Sequence, residues 1–382
     1  MKVHADWLNS SAAICVSDVL TQSGFQAWFV GGCVRNALLG AQVSDLDIST
    51  NAHPDQVMTL AKQAGLNVIP TGIDHGTVTV ICEGQPFEIT TFRRDVETDG
   101  RRAVVAFADS LHEDAQRRDF TMNALYADIQ GEIVDPVGGL DDLERRIFRF
   151  IGNAEDRIKE DYLRILRFFR FHAWYGHPMN GIDADGLAAC AMHIEGLGTL
   201  SAERIGTEIK KLLSAPDPSP AVASFATIGG LAQVLPGADH GALAVLVHLE
   251  GDRPVDPIRR LACLGGEDVA KALRLSNSEK RMLDRIAEAG EADLGLAELG
   301  YRFPDVAEDV HLIRSAKMGT SIDPADFDAI ERGKQQVFPV KANDLMPDYS
   351  GPALGAMLRT LEDRWIVSDF TLSKEQLLST IA

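Results

Sequence analysis

Every run that reads as a strand falls before residue 150, and from Ala154 onward the hydrophobic periodicity is that of helices. Ala27 to Val30, Leu46 to Ser49, Thr77 to Ile81, Phe87 to Phe92 and Ala124 to Ile129 are short and alternating or β-branched. Gly, Pro and Asp break them, as the strands of a mixed sheet are broken. The stretch Ile158 to Trp174 instead spaces Ile158, Tyr162, Ile165, Leu166, Phe169 and Ala173 by threes and fours, which predicts one amphipathic helix. The predicted class is α+β, with a mixed-sheet head over residues 1–150 and an all-helical remainder. Proline-rich Ala215 to Pro220 divides that remainder into residues 151–215 and 216–382, and Gly251 to Pro257 marks a further joint. A chain of 382 residues exceeds one ordinary core, in keeping with such a division.

No apolar run reaches the roughly 18 residues of a membrane span, and Met1 to Ser10 lacks the layout of a signal peptide. A cytoplasmic location and no membrane partner are therefore expected. The five cysteines, Cys15, Cys33, Cys82, Cys190 and Cys263, are scattered without a CxxC pair, which argues against a disulfide framework or a zinc knuckle. A net charge of −19 opposes broad attraction to polyphosphate, so any RNA contact must be a local basic surface. Nothing in the pattern sets an oligomeric state.

Three clusters carry chemistry. In the first, Phe29-Val30-Gly31-Gly32-Cys33-Val34-Arg35, a glycine pair directly after a strand lets backbone N–H groups approach phosphate oxygens at a helix start. Arg35, one turn on, can add a charged contact. Taken alone, the pair is equally a tight strand-to-helix turn. Downstream, Asp45 and Asp47 stand two apart on a strand, so both carboxylates project from one face and can hold divalent ions between them. Phosphoryl-type transfer uses two such ions about 3.5–4 Å apart. Glu88, on the strand Phe87 to Arg93, is the candidate third carboxylate, the alternative being an ordinary strand carboxylate.

In the second cluster, Arg117-Arg118-Asp119-Phe120-Thr121-Met122-Asn123, two cations, an acid and an amide suit a triphosphate and ribose hydroxyls. A charged capping loop is the plainer reading. The following Asp135 to Leu143 segment reads as a turn into a helix, with structural acids. In the third cluster, Glu160-Asp161-Tyr162-Leu163-Arg164, helical spacing puts Asp161 and Arg164 on one face, with Glu160 four residues before the guanidinium it can hold. Spacing alone favours a solvated salt bridge there.

With these motifs in this order, the chain resembles the class II tRNA nucleotidyltransferase and bacterial poly(A) polymerase family. The GGxVR turn with its DxD, RRDFTxNAL, DPxGGxxDL and EDxxR carry the resemblance, which extends through a neck-like helix at Leu200 to Leu213 and tail-like segments at Asp344 to Met346, Gly351 to Gly355 and Thr371 to Leu378. The resemblance implies a polymerase β-like nucleotidyltransferase head followed by helical neck, body and tail. It implies Mg2+ on Asp45 and Asp47, the triphosphate on Gly31, Gly32 and Arg35, and the nucleotide sugar and phosphates at Arg118, Asp119 and Asn123. Asp161 and Arg164 would read the base, with Glu160 as orienter and Arg167 near phosphate. The implied partners are CTP, ATP and the tRNA 3′ end. Asn36 departs from the Asp usual after the arginine, which puts a supporting contact in question.

Base choice has a physical basis. Cytosine and adenine both present an amino donor beside a ring-nitrogen acceptor, whereas uracil and guanine present a carbonyl beside an N–H. An Asp acceptor next to an Arg donor therefore accepts C and A without a template. Among rivals, a poly(A) polymerase would carry a basic segment where Thr71 to Thr77 stands, and Arg93 to Phe107 looks like the intact loop that A addition needs. An A-adding-only enzyme stays open. A phosphohydrolase of the HD type would need an adjacent His-Asp, which the sequence lacks, and a non-catalytic RNA-binding module would be expected to have lost Asp45, Asp47 and Glu88. Arg204, Lys210, Lys211, Arg274, Lys280 and Arg281 are the candidate RNA contacts.

Overall fold

The computed structural model describes residues 1–99, 102–177 and 179–381. It forms two compact units, Met1–Pro236 and Gly237–Ala382. The two proline-marked joints are turns between helices within those units, and the division itself falls at Pro236-Gly237. No helix of the described residues is long and apolar enough to cross a membrane.

The first unit opens with the strands β1 (Trp28–Val30), β2 (Leu46–Thr50), β3 (Asn67–Gly72), β4 (Thr77–Cys82), β5 (Gln85–Thr91), β6 (Arg93–Asp99), β7 (Arg102–Phe107), β8 (Tyr126–Ala127) and β9 (Ile133–Val134). Seven form one mixed sheet in the order β3-β4-β5-β2-β1-β8-β9, and β6 with β7 makes a separate hairpin. β2 runs parallel to β5, while its other neighbour, β1, is antiparallel. Leu46 and Ile48 on β2 and Phe87 and Ile89 on β5 are buried, which leaves Asp47 and Glu88 on the opposite, polar face.

Two expectations change. The run Ala124 to Ile129 shrinks to the two residues of β8, because Thr121–Asn123 closes a 3-10 turn before it and Asp128 accepts from the Glu132 N–H at 2.8 Å in a tight turn after it. The stretch Ile158 to Trp174 is two helices, Ala154–Glu160 and Leu163–Tyr175. Asp161 between them is extended, and its carboxylate accepts from the Leu163 N–H at 3.1 Å. Both helices bury apolar side chains, Ile158 in one and Ile165, Leu166 and Phe168 in the other, so the periodicity runs unbroken across a backbone break. Of the segment Arg93 to Phe107, Gly100 and Arg101 lie outside the described residues.

Aromatic packing sets where the helix Leu163–Tyr175 sits. Phe148 stacks on Phe171 at 5.3 Å between ring centroids, Phe150 on Phe168 at 5.4 Å, and Phe120 lies 4.8 Å from Phe150. Each buried ring contributes on the order of 1.5–3 kcal/mol, so the helix is pinned against the segment that follows the arginine pair. The helix Ala202–Leu213 packs on it in turn, through the Arg170–Glu208 ion pair at 2.5 Å and the Trp174 indole N–H donated to the Lys211 carbonyl at 2.7 Å.

The second unit is helical from Leu243–Glu250 to Lys374–Ser379. Its core gathers Leu299, Val310, Leu312 and Ile330, and buried Glu250 receives Arg259 at 2.8 Å and Arg260 at 2.7 Å.

Candidate active site

The glycine turn comes first in the chain. Gly31 sits at φ 73°, ψ −119°, a backbone region closed to other residues, and it turns β1 directly into the helix Gly32–Leu39. A Cβ built there would lie 3.5 Å from Arg118 Nη1, so the turn passes close beside that guanidinium.

Next to it on the sheet, Asp47 and Glu88 are register partners across the parallel β2–β5 pairing, and Asp45 stands just ahead of β2. Asp45 and Glu88 are exposed and Asp47 is half-buried. Burial, then the Glu88 carboxylate and, more weakly, that of Asp45, push the Asp47 carboxyl up to about 6 against the pull of Arg118. Ser44 Oγ donates to Asp45 at 2.9 Å. Among the described residues no hydrogen bond or ion pair occupies the carboxylates of Asp47 and Glu88. Nor, among them, do three His, Cys, Asp or Glu side chains close into a ready-made metal cage. The structure offers an open pair of hard oxygen donors whose repulsion a divalent cation would relieve, and the donor set fits Mg2+.

Behind the turn runs a buried polar network. Arg167 donates to Asp119 Oδ2 at 2.7 Å, Asn123 Nδ2 donates to Asp119 Oδ1 at 2.9 Å, and Arg35 donates to Asn123 Oδ1. Burial works against the Asp119 anion, but Arg167, the Asn123 amide and the Phe120 N–H outweigh it and hold the carboxyl down to about 2. Arg35 was expected at the triphosphate. It is 5% exposed, donates to Tyr175 Oη at 3.1 Å, and lies over the Tyr175 ring at 4.3 Å. Its fork is thus engaged within the fold, and it bears on the site through Asn123. Asn36, the departure from the family pattern, still accepts from Arg35 Nη2 at 2.9 Å, so a neutral amide fills the supporting role.

The third cluster differs from its helical reading. With Asp161 extended at the helix break, the Asp161 and Arg164 side chains do not pair on a continuous helical face. Arg164 is held by Glu160 Oε2 and donates to the carbonyls of Arg157 at 2.8 Å and Arg117 at 3.2 Å. Asp161 receives Arg204 at 2.7 Å. Of the basic residues singled out as RNA contacts, Arg204 is therefore engaged with Asp161, and Lys280 is paired with Asp284.

Sequence reasoning passed over Asp114, Ser49, Tyr126 and Tyr175. Asp114 is fully buried and takes both arginines of the RRD motif. Its spacing three and four residues before them, from the last turn of the helix Leu111–Gln116, was the available signal. The turn at Asp135 is structural, as read: its carboxylate accepts from Gly139 N at 2.8 Å and Leu140 N at 3.0 Å.

A glycine turn at positive φ with an arginine beside it, and aligned carboxylates on adjacent strands, on a mixed-sheet head followed by helices, define a nucleotidyltransferase. Residues 27–149 match the family described as the poly A polymerase head domain, and residues 181–241 match a probable RNA and SrmB-binding site of polymerase A. The mitochondrial CCA tRNA nucleotidyltransferase 1 of Danio rerio is 30% identical over 98% of this chain and 91% of its own. A CCA-adding enzyme of Streptococcus gordonii is 32% identical over 92% and 91%. Among solved structures, the Bacillus stearothermophilus CCA-adding enzyme in complex with CTP superimposes with a TM-score of 0.75 at 31% identity, covering 96% of this chain and 95% of that one. The chain belongs to the family of CCA-adding tRNA nucleotidyltransferases that shares its head domain with poly(A) polymerases.

Proposed function

We propose that this protein transfers CMP and AMP from CTP and ATP to the 3′ end of tRNA, adding or repairing CCA without a template. The observation that carries the reading is the register of Asp47 with Glu88 beside the Gly31 turn, in a chain of this family. In this reading residues 1–150 are the catalytic head, 151–215 the neck that reads the base, and 216–382 the body and tail that bind RNA. The solved relative from Bacillus stearothermophilus holds CTP, and a Thermotoga maritima CCA-adding enzyme of like fold, TM-score 0.72 at 16% identity, is complexed with tRNA.

Asp45 and Asp47 would hold Mg2+, with Glu88 alongside. When bound, the ions supply activation of the attacking 3′ hydroxyl and neutralisation of the leaving pyrophosphate. The chain's own groups do the placing. The Gly31-Gly32 backbone and Arg118 receive the phosphates, and Asp119 and Asn123 fix the sugar. Asp161 and Arg164 face the base edge, the first accepting from the amino group and the second donating to the ring nitrogen that C and A share. Glu160 holds the Arg164 guanidinium, as a base-reading donor requires. The α-phosphorus gains a bond to the 3′ oxygen and loses its bond to the β-phosphate oxygen.

The test is elongation of a tRNA transcript lacking CCA with each nucleoside triphosphate, with Mg2+ and with EDTA. Incorporation restricted to CTP and ATP and abolished by EDTA is expected. Incorporation of UTP or GTP at similar rates, or transfer that survives EDTA, would overturn the reading.

A further inference from the structure

Asp114 lies outside the three clusters. It sits in the short helix Leu111–Gln116 with 0% exposure, yet donors from five residues converge on its carboxylate. Oδ1 accepts from Arg117 Nε at 3.1 Å and from the Arg93 N–H at 3.3 Å, where the β6–β7 hairpin begins. Oδ2 accepts from Arg118 Nη2 at 3.1 Å, Tyr126 Oη at 2.9 Å and Ser49 Oγ at 3.4 Å. Ser49 lies two residues beyond Asp47 on β2, on the same side of the strand, and itself accepts from Arg118 Nη2 at 3.1 Å.

The Arg118 fork is therefore anchored on one side only. Nε goes to Asp114 and Tyr126, Nη2 goes to Asp114 and Ser49, and Nη1 is left on the side of the Gly31 turn. A guanidinium is planar, so fixing two nitrogens fixes where the third points. We infer that Asp114 is a positioning residue for nucleotide transfer, locking Arg118 against β2 so that its free edge faces the phosphates at the glycine turn. The inference rests on the function proposed above.

A structural carboxylate and a positioning one predict different kinetics. Asp114→Asn keeps size and an acceptor oxygen but loses the charge that holds the fork. In a tRNA elongation assay KM for CTP and ATP should rise about 10- to 100-fold, the scale of a lost charge-assisted hydrogen bond, while affinity for tRNA stays within about 2-fold. Because the effect passes through Arg118, the Asp114→Asn change should add less than about 2-fold to the loss already seen in Arg118→Ala. Ser49→Ala leaves the buried ion pair and removes only the strand hydroxyl, and should raise the nucleotide KM by about 3- to 10-fold, a reading available even if Asp114→Asn folds poorly. Multiplying losses in the double variant, or an unchanged nucleotide KM in Ser49→Ala, would overturn the assignment of Asp114. A native protein that adds no nucleotide to tRNA would instead overturn the function on which it rests.

Discussion

Asp47 and Glu88 stand opposite each other in the parallel pairing of β2 with β5, and no described side chain forms a hydrogen bond or ion pair with either carboxylate. Such an arrangement destabilises the free protein. The Asp47 carboxyl rises from the ordinary 3.8 to about 6 through burial and its acidic neighbours. Between those values the folded state binds more protons than the unfolded one, so stability falls as pH rises through that window. Asp47→Asn removes this penalty. In EDTA its Tm should exceed that of the native protein above a pH of about 6, and the advantage should fade by a pH of about 4. The same variant with Mg2+ should have no measurable transfer. Native-like turnover, or a stability difference that grows on acidification, would contradict the account.

Nucleotide selectivity should depend on Glu160 as well as on Asp161 and Arg164, the pair proposed to read the base. Arg164→Ala leaves a ring nitrogen without its donor, and an unmet buried polar group costs about 1–3 kcal/mol, or roughly 10- to 100-fold in discrimination. Glu160→Gln keeps the guanidinium but weakens its hold, so a smaller loss in the same direction is expected. The measurement is kcat/KM for all four nucleoside triphosphates. Selectivity intact in Arg164→Ala and Asp161→Ala alike would return these residues to the role of salt bridges.

Asp119 should be costly to remove. Truncation to Ala strips the acceptor from Arg167, Asn123 and the Phe120 N–H together. Breaking a buried pair by deleting one partner costs about 3–5 kcal/mol, to be read from urea denaturation at neutral pH. The stabilisation it provides is present above the unfolded carboxyl's pKa of 3.8 and is lost as pH falls toward about 2, so the native and Asp119→Ala curves should converge in acid. Parallel curves would show that the Arg167 contact contributes little.

Legibility in the sequence followed periodicity and spacing. The division into a sheet-bearing head and helices was plain, as was the strand that carries Asp47, because alternation and glycine punctuation act locally; Asp45, read as part of that strand, stands just ahead of it. The break at Asp161 was not, because apolar spacing carried through it while one carboxylate captured the Leu163 N–H. Nor was the register of Glu88 with Asp47, since parallel pairing joins residues that no local pattern connects. The partners of Arg35 were not legible either, because sequence shows charge and not what it pairs with. Only the fold brings Tyr175 and Asn123 to it. The divide at Pro236-Gly237 carried a weaker signal than the proline-rich turn before it.

The most direct test of the proposed activity is product length. The purified protein is given three tRNA transcripts, lacking CCA, ending in CC and complete, with CTP and ATP together or singly, and the products are sized. Three residues should be added to the first with both nucleotides, one A to the second with ATP alone, and nothing to the third. A long ladder of adenylates on any substrate, or failure to add C to the first, would contradict it.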